Sequence, residues 1–183
     1  MGICVVSFSS RAGGNCARIG ELICSSVKDA AFFDFSAFEI HPCGKCGYEC
    51  FSDPGRCPYA EDPERRLLEE MTRSDRVYFI LPNYCDYPCA NFFIFNERSQ
   101  CFFQGRPDLL EAYEKVPKRA VVVSNTNEEN FRQVLAYQGY EEPEILFLSA
   151  KKYGKVSIRG DLLTSAEAIR DILAFVREPD RNE

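Results

Sequence analysis

The chain has 183 residues, 45% of them hydrophobic and 27% charged, with a net charge of −6, which fits one globular domain with a sizeable core. An acidic balance without clustered Lys and Arg argues against a nucleic-acid partner, and no apolar run reaches the length of a bilayer span. The opening stretch MGICVVSFSS lacks a basic region and a long apolar run, so no signal peptide is read and a cytoplasmic protein is expected. Ten cysteines in that compartment read as thiols, metal ligands or redox groups rather than structural disulfides.

In chain order, the apolar run at residues 3–8 predicts a first strand, and Cys16, Ile19, Ile23 and Val27 at helical spacing predict a helix after it. A second strand follows at residues 30–35. Residues 41–59 form an insertion longer than a usual connection. Asp62 and Pro63 read as a helix N-cap and first helical residue ahead of the stripe Leu67, Leu68 and Met71. Residues 77–81 predict a third strand. The aromatic-rich stretch behind it is read as helical over 90–98 and irregular to Phe103. Strands at 120–124 and 145–148 each precede capping-box spacing, Thr126 with Glu129 and Thr164 with Glu167. The expectation is one α/β domain over residues 1–178 with a flexible tail at 179–183. Its fold would be a flavodoxin-like three-layer sandwich, with a five-stranded parallel sheet in the order 2-1-3-4-5.

The segment Ser9-Ser10-Arg11-Ala12-Gly13-Gly14-Asn15-Cys16 leads from the first strand into a helix. A helix N-terminus offers unpaired N–H groups and the positive end of a dipole. Glycines let backbone approach an anion, hydroxyl and amide side chains add neutral donors, and Arg11 adds charge. On residues alone this is either an anion site or a glycine turn capped by Asn15; without a Walker lysine it does not suit a nucleoside triphosphatase. At the end of the third strand, Leu81-Pro82-Asn83-Tyr84-Cys85-Asp86-Tyr87-Pro88 offers backbone amides and two tyrosines. These serve a flat aromatic ligand or make an ordinary proline turn.

The first loop resembles that of the NADPH-dependent FMN reductase and iron–sulfur flavoprotein family, roughly G-S-x-R-x-G-G-N-T. Ser9, Arg11, Gly13, Gly14 and Asn15 match. Phe8 stands where glycine is usual, which sets a bulky ring beside the loop, and Cys16 stands for threonine or serine. The family's S-P-x-Y segment is matched by Pro82 and Tyr84, and its F-x-D-R by Phe95, Asn96, Glu97 and Arg98. The resemblance implies an FMN-binding oxidoreductase. Ser9, Ser10, Arg11, Gly14, Asn15 and Cys16 would hold the phosphate, and Pro82, Asn83, Tyr84, Cys85 and Asp86 the ring. Ser124 and Asn125, placed by topology, would lie near its pyrimidine edge. No side chain is needed as a general base. It further implies NAD(P)H as electron donor, a small-molecule acceptor or redox partner protein, and a homodimer or higher homo-oligomer.

Cys43, Cys46, Cys50 and Cys57 are spaced C-x2-C-x3-C-x6-C, close enough to share one centre. Zinc takes four sulfurs, and a 4Fe-4S cluster takes one cysteine per iron. The resemblance extends to this segment through Gly55 and Glu61-Asp62, although one gap is a residue longer than in the family. A cluster, a zinc ion, and free or reversibly oxidised thiols all remain open. Two rivals to the reductase follow: an electron-transfer iron–sulfur flavoprotein without a substrate of its own, and a degenerate non-flavin member acting as a metal-binding or redox-sensing module. Cys4 and Cys24 are read as core packing. Cys85, Cys89 and Cys101 are read as small packing residues near the edge of the flavin.

Overall fold

A computed structural model describes residues 2–44, 46–53, 56–125, 131–134 and 144–178. The elements are β1 (Ile3–Ser7), α1 (Asn15–Ser25), β2 (Ala30–Asp34), α2 (Glu49–Ser52), α3 (Pro63–Arg73), β3 (Arg76–Tyr84), β4 (Tyr87–Pro88), α4 (Ala90–Phe103), α5 (Pro107–Lys115), β5 (Lys118–Ser124), β6 (Glu144–Ser149) and α6 (Ala166–Arg177). Residues 131–134 are helical. Short 3-10 turns at Ala150–Tyr153, Ser157–Arg159 and Leu162–Thr164 precede α6.

The sheet runs β2-β1-β3-β5-β6 with these strands parallel, and β4 pairs antiparallel with the end of β3. Helices cover both faces, giving a flavodoxin-like α/β sandwich. The expected five strands in the order 2-1-3-4-5 are therefore corrected to six in the order 2-1-3-5-6. The extra strand, Tyr87–Pro88, has two residues and leaves no periodic signal. It exists because Cys85 and Asp86 make a two-residue turn, both at positive φ (52° and 65°), the backbone of a tight hairpin.

The central strands are buried on both sides because alternate residues face opposite layers. Cys4, Val6, Val77, Phe79, Leu81, Ala120 and Val122 pack toward α3 and α4. Val5, Tyr78, Ile80, Val121 and Val123 pack toward α1 and α6. Phe8 joins the first layer, fully buried, with ring centroids 5.0 Å from Phe35, 5.5 Å from Phe79 and 5.4 Å from Phe92. It points into the core, so the crowding of the first loop expected from its size does not arise.

The aromatic stretch is helical to Phe103 rather than to residue 98. Its aromatics lie on several sides of the helix, Phe92 fully buried and Phe93 exposed, so no apolar stripe marks it in the sequence. A further helix, α5, follows; Pro107 in its first turn and Lys115 in its last were its signals. Asp62 and Pro63 sit where expected, but the Asp62 side chain makes no cap bond. The cap of α6 is Ser165, whose hydroxyl accepts from the Ala168 N–H, one residue beyond Thr164. The Thr126–Glu129 pair, Leu135, Gly55 and the tail at 179–183 lie outside the described residues. Among the described residues no helix is long and apolar enough to cross a membrane.

Arg119, fully buried in β5, pairs with Glu144 of β6 and donates to the carbonyls of Phe175 (2.7 Å) and Glu178 (3.0 Å). This ties the end of α6 to the amino-terminal edge of the sheet and leaves the carboxyl edge to the loops.

Candidate functional site

Four loops meet at the carboxyl ends of the strands, where the chain direction switches between β1 and β3 and where open α/β sheets bind ligands. The loop after β1 enters α1 through Gly14, which as N-cap carries no side-chain bond. The first-turn N–H groups of Asn15, Cys16 and Ala17 have no partner four residues back and face the anion-favouring end of the helix. Gly13 has φ +61°, with nothing within 4 Å of where a Cβ would sit, a backbone that favours glycine.

The side chains of this loop are largely committed to neighbouring loops. Asn15, buried, donates through Nδ2 to the Ser157 carbonyl (2.8 Å) and accepts at Oδ1 from the Leu162 N–H (3.0 Å). Arg11 Nη1 donates to the Ile158 carbonyl, and Arg18 Nη1 to the Gly160 carbonyl (3.0 Å). The stretch 157–162 is thus strapped over the start of α1. Ser9 Oγ accepts from the Arg11 N–H (3.2 Å), and Ser10 Oγ from Asn91 Nδ2 (3.0 Å). Asn91 also donates to the Phe8 carbonyl (2.9 Å). The Cys16 side chain is buried among core residues, and burial pushes its thiol well above the usual range.

The second loop is the β3–β4 hairpin. Pro82 is in register with Val123 of β5, and Asn83 Nδ2 donates to Ser124 Oγ (2.7 Å). Tyr84 and Tyr87 are 59% and 51% exposed, and Tyr84 lies close enough to Cys16, Cys89 and Arg11 to interact with them electrostatically. Cys85 and Asp86 form the turn itself, with Cys85 exposed. In the third loop, Asn125 Nδ2 donates to Ser157 Oγ (2.7 Å), while Asn125 Oδ1 is buried without a hydrogen-bond partner among the described residues. A buried amide oxygen without a donor is costly, and a ligand N–H is one way to satisfy it. Ser9, Ser10, Arg11, Gly14, Asn15 and Cys16, the hairpin and Ser124–Asn125 therefore converge on one edge. The strap 157–162 is the part that residue reasoning missed. Gly154 and Gly160, in the left-handed region at φ 65° and 72°, were its only sequence marks.

A second concentration of chemistry lies under α4. Cys43, Cys46, Cys50 and Cys57 line one shallow hollow together with Glu49, Arg98 and Cys101. Arg98, one helical turn before Cys101, organises the neighbourhood. It pairs with Asp62 (3.0 Å) and Glu64 (3.3 Å) and donates to the carbonyls of His41 (2.9 Å) and Tyr59 (3.2 Å). His41 stacks on Tyr59 at 4.3 Å between ring centroids. Partial burial alone would raise the Asp62 carboxyl, but hydrogen bonds from His41 and Arg98 outweigh it and hold it below the usual value. For Glu64 burial wins over the pull of Arg98, and the carboxyl is pushed up to about 8. Among the described residues no group of three or more His, Cys, Asp or Glu side chains is arranged to hold a metal ion, so of the readings left open by the spacing, a cluster or a zinc ion finds no ready-made ligand set there. Cys101, expected near the flavin edge, belongs here instead: burial and the adjacent Cys57 and Cys50 thiols push its own thiol up to about 12. It stands 44 residues after Cys57, outside any local motif.

No protein-family model matches the chain, and no curated protein does. Among solved structures it is similar to the Trp repressor binding protein from Bacillus subtilis, at 16% identity and a TM-score of 0.65 over 96% of this chain and 99% of that one. It is similar to FerB from Paracoccus denitrificans, a flavoenzyme NAD(P)H:(acceptor) oxidoreductase, at 16% identity and a TM-score of 0.54, over 95% and 94% of the two chains. RosB, solved with bound 8-demethyl-8-formylriboflavin-5′-phosphate, is similar at 11% identity and a TM-score of 0.58, over 97% of this chain and 79% of that one. At these identities the likeness is one of fold.

Proposed function

We propose that this chain is an FMN-binding oxidoreductase that takes reducing equivalents from NAD(P)H and delivers them to a small-molecule acceptor or a redox partner protein. The observation that carries the reading is the convergence of three β-strand loops and a strap around the open start of α1, with the buried Oδ1 of Asn125 lacking a donor among the described residues. These features suit a flavin phosphate at one end and a ring N–H at the other. FerB and RosB, which share the fold, are a flavoenzyme and a protein solved with a flavin phosphate, and both support the reading.

In this reading the backbone N–H groups from Gly14 to Ala17 hold the phosphate. Asn15 and Arg11 act mainly by fixing the strap, and Ser9 and Ser10 line the loop. Pro82, Asn83 and Tyr84 bound the ring, with Cys85 and Asp86 setting the hairpin's direction, and Ser124 orients Asn83. Bound flavin would supply hydride acceptance from a nicotinamide and onward electron transfer. The exposed Tyr84 and Tyr87 beside the site suit a face covered by a second copy of the chain, and the reaction would take place in the cytoplasm. Iron or zinc at Cys43, Cys46, Cys50 and Cys57 would add an electron relay, a variant favoured by their common hollow and decided by metal analysis of anaerobically purified protein. The test of the main reading is turnover: FMN-loaded protein is expected to oxidise NADH or NADPH steadily with a quinone acceptor. Donor oxidation no faster than with free FMN would refute it.

A further inference from the structure

Ser157 is bonded to both ends of the candidate flavin site. Its carbonyl accepts from Asn15 Nδ2 (2.8 Å) at the start of α1, and its hydroxyl accepts from Asn125 Nδ2 (2.7 Å) just behind β5. The first partner stands 142 residues away in the chain and the second 32. Ser157 opens a 3-10 turn, Ser157–Arg159, closed by Gly160 at φ 72°. The Gly160 N–H donates to the same Ser157 carbonyl (3.3 Å), and the Gly160 carbonyl accepts from Arg18 Nη1 (3.0 Å). The turn is thus anchored to α1 through backbone atoms, without the Ser157 side chain. The hydroxyl is the link to Asn125. An Asn amide has one accepting end and one donating end. With Nδ2 committed to Ser157, Oδ1 is the end left over, and it is buried without a hydrogen-bond partner among the described residues. Such an oxygen is costly until a donor arrives.

We propose that Ser157 is a positioning residue for the flavin ring, a role that rests on the flavin reading above: by holding Nδ2 of Asn125 it fixes Oδ1 as the acceptor of the site, which thereby selects a ring presenting an N–H. The pyrimidine edge of a flavin carries one such group, N3–H, between two carbonyls. Oδ1 complements it, whereas the Nδ2 end of a turned amide would meet it donor to donor. Loss of the hydroxyl releases Nδ2, and the amide can then present either end. A site built to hydrogen-bond an N–H rejects the analogue that lacks it, because its buried acceptor is then left unpaired. The phosphate end does not follow, since Asn15 is held by the Ser157 carbonyl and by the Leu162 N–H (3.0 Å).

The test titrates the full chain with FMN and with N3-methyl-FMN, following quenching of flavin fluorescence. The ratio of the two affinities reads the ring end, because the phosphate is common to both probes. The unsubstituted chain is expected to prefer FMN by about fivefold or more, the effect of one hydrogen bond. In Ser157→Ala and in Asn125→Ala that preference should fall to near one. The double variant should bind FMN no more weakly than Asn125→Ala alone, since both changes remove the same bond. Ser157→Cys serves if the alanine variant folds poorly. A preference kept intact in Ser157→Ala would overturn the proposal. So would single-variant losses that add in the double variant, or saturable binding of both probes to the unsubstituted chain without preference. Those outcomes leave the flavin reading standing, because FMN still binds. If the folded, unsubstituted chain binds neither probe, the flavin reading falls and the role of Ser157 falls with it.

Discussion

The carboxyl-edge loops and the cysteine segment are both irregular, yet they are held by different forces. The loops are fastened mostly by amides and hydroxyls bonded to one another and to backbone groups, many of them from Asn15, Asn83, Asn91 and Asn125, with Arg11 and Arg18 donating to strap carbonyls. Their backbone N–H groups are left facing outward at α1. The cysteine segment is fastened by one buried cation, Arg98, to which two carboxylates and two carbonyls are committed. Loss of one partner in the first region costs a hydrogen bond; loss of the hub in the second strands buried charge. The first region leaves the backbone N–H groups at the start of α1 open, whereas the second is organised around buried charge.

Breaking the hub should give the largest effect. Arg98→Ala is expected to destabilise the fold by about 3–5 kcal/mol, the usual consequence of stripping one partner from a buried ion pair, measured by urea unfolding. Alkylation of Cys50 and Cys101 should accelerate in that variant. Asn15→Ala removes both bonds to the strap and is expected to cost about 1–3 kcal/mol. Hydrogen exchange should show lost protection near residues 157–162, with cysteine alkylation unchanged. If the cysteine segment loosens as well, the two regions are not independent.

The pH dependence distinguishes the regions further. Glu64, raised from 4.5 to about 8 in the fold, keeps its proton folded after losing it unfolded. The stability tied to it is full below pH 4.5 and is lost as pH rises toward 8, with a slope of up to about 1.4 kcal/mol per pH unit. Glu64→Gln should flatten that decline, as followed by urea midpoints across the window. Asp62, lowered in the fold, works in the opposite sense: its contribution is present above its unfolded value and is lost as pH falls through the folded one. The smallest effect is at the hairpin. Replacing Cys85 and Asp86 by Asn and Gly, residues suited to two consecutive positive φ values, should stabilise by about 0.5–1 kcal/mol, read as a rise in Tm.

Much of the first region was legible. The loop after β1, the hairpin residues and Ser124–Asn125 lie at the carboxyl edge of the sheet, where strand periodicity puts them, because continuous apolar runs fix the central strands and a strand's end fixes its loop. The roles of Asn15 and Arg11 side chains were not legible: their partners are backbone carbonyls and one backbone N–H more than 140 residues away, which no local pattern encodes. Phe8 looked like an obstacle because its neighbours in sequence are loop residues, yet the pleat turns its ring into the core. In the second region the four spaced cysteines were visible; they line one hollow but form no metal-holding group among the described residues. Cys101 was not, since it reaches the group only through the length of α4, and an aromatic-rich helix without an apolar stripe hid that length.

The flavin reading itself is tested most directly by titrating FMN into the purified chain and following quenching of flavin fluorescence. Saturable binding of one FMN per chain is expected, competed by riboflavin-free phosphate analogues only weakly and diminished in Asn15→Ala. Fluorescence that tracks added FMN without saturation, in protein shown to be folded, would contradict it.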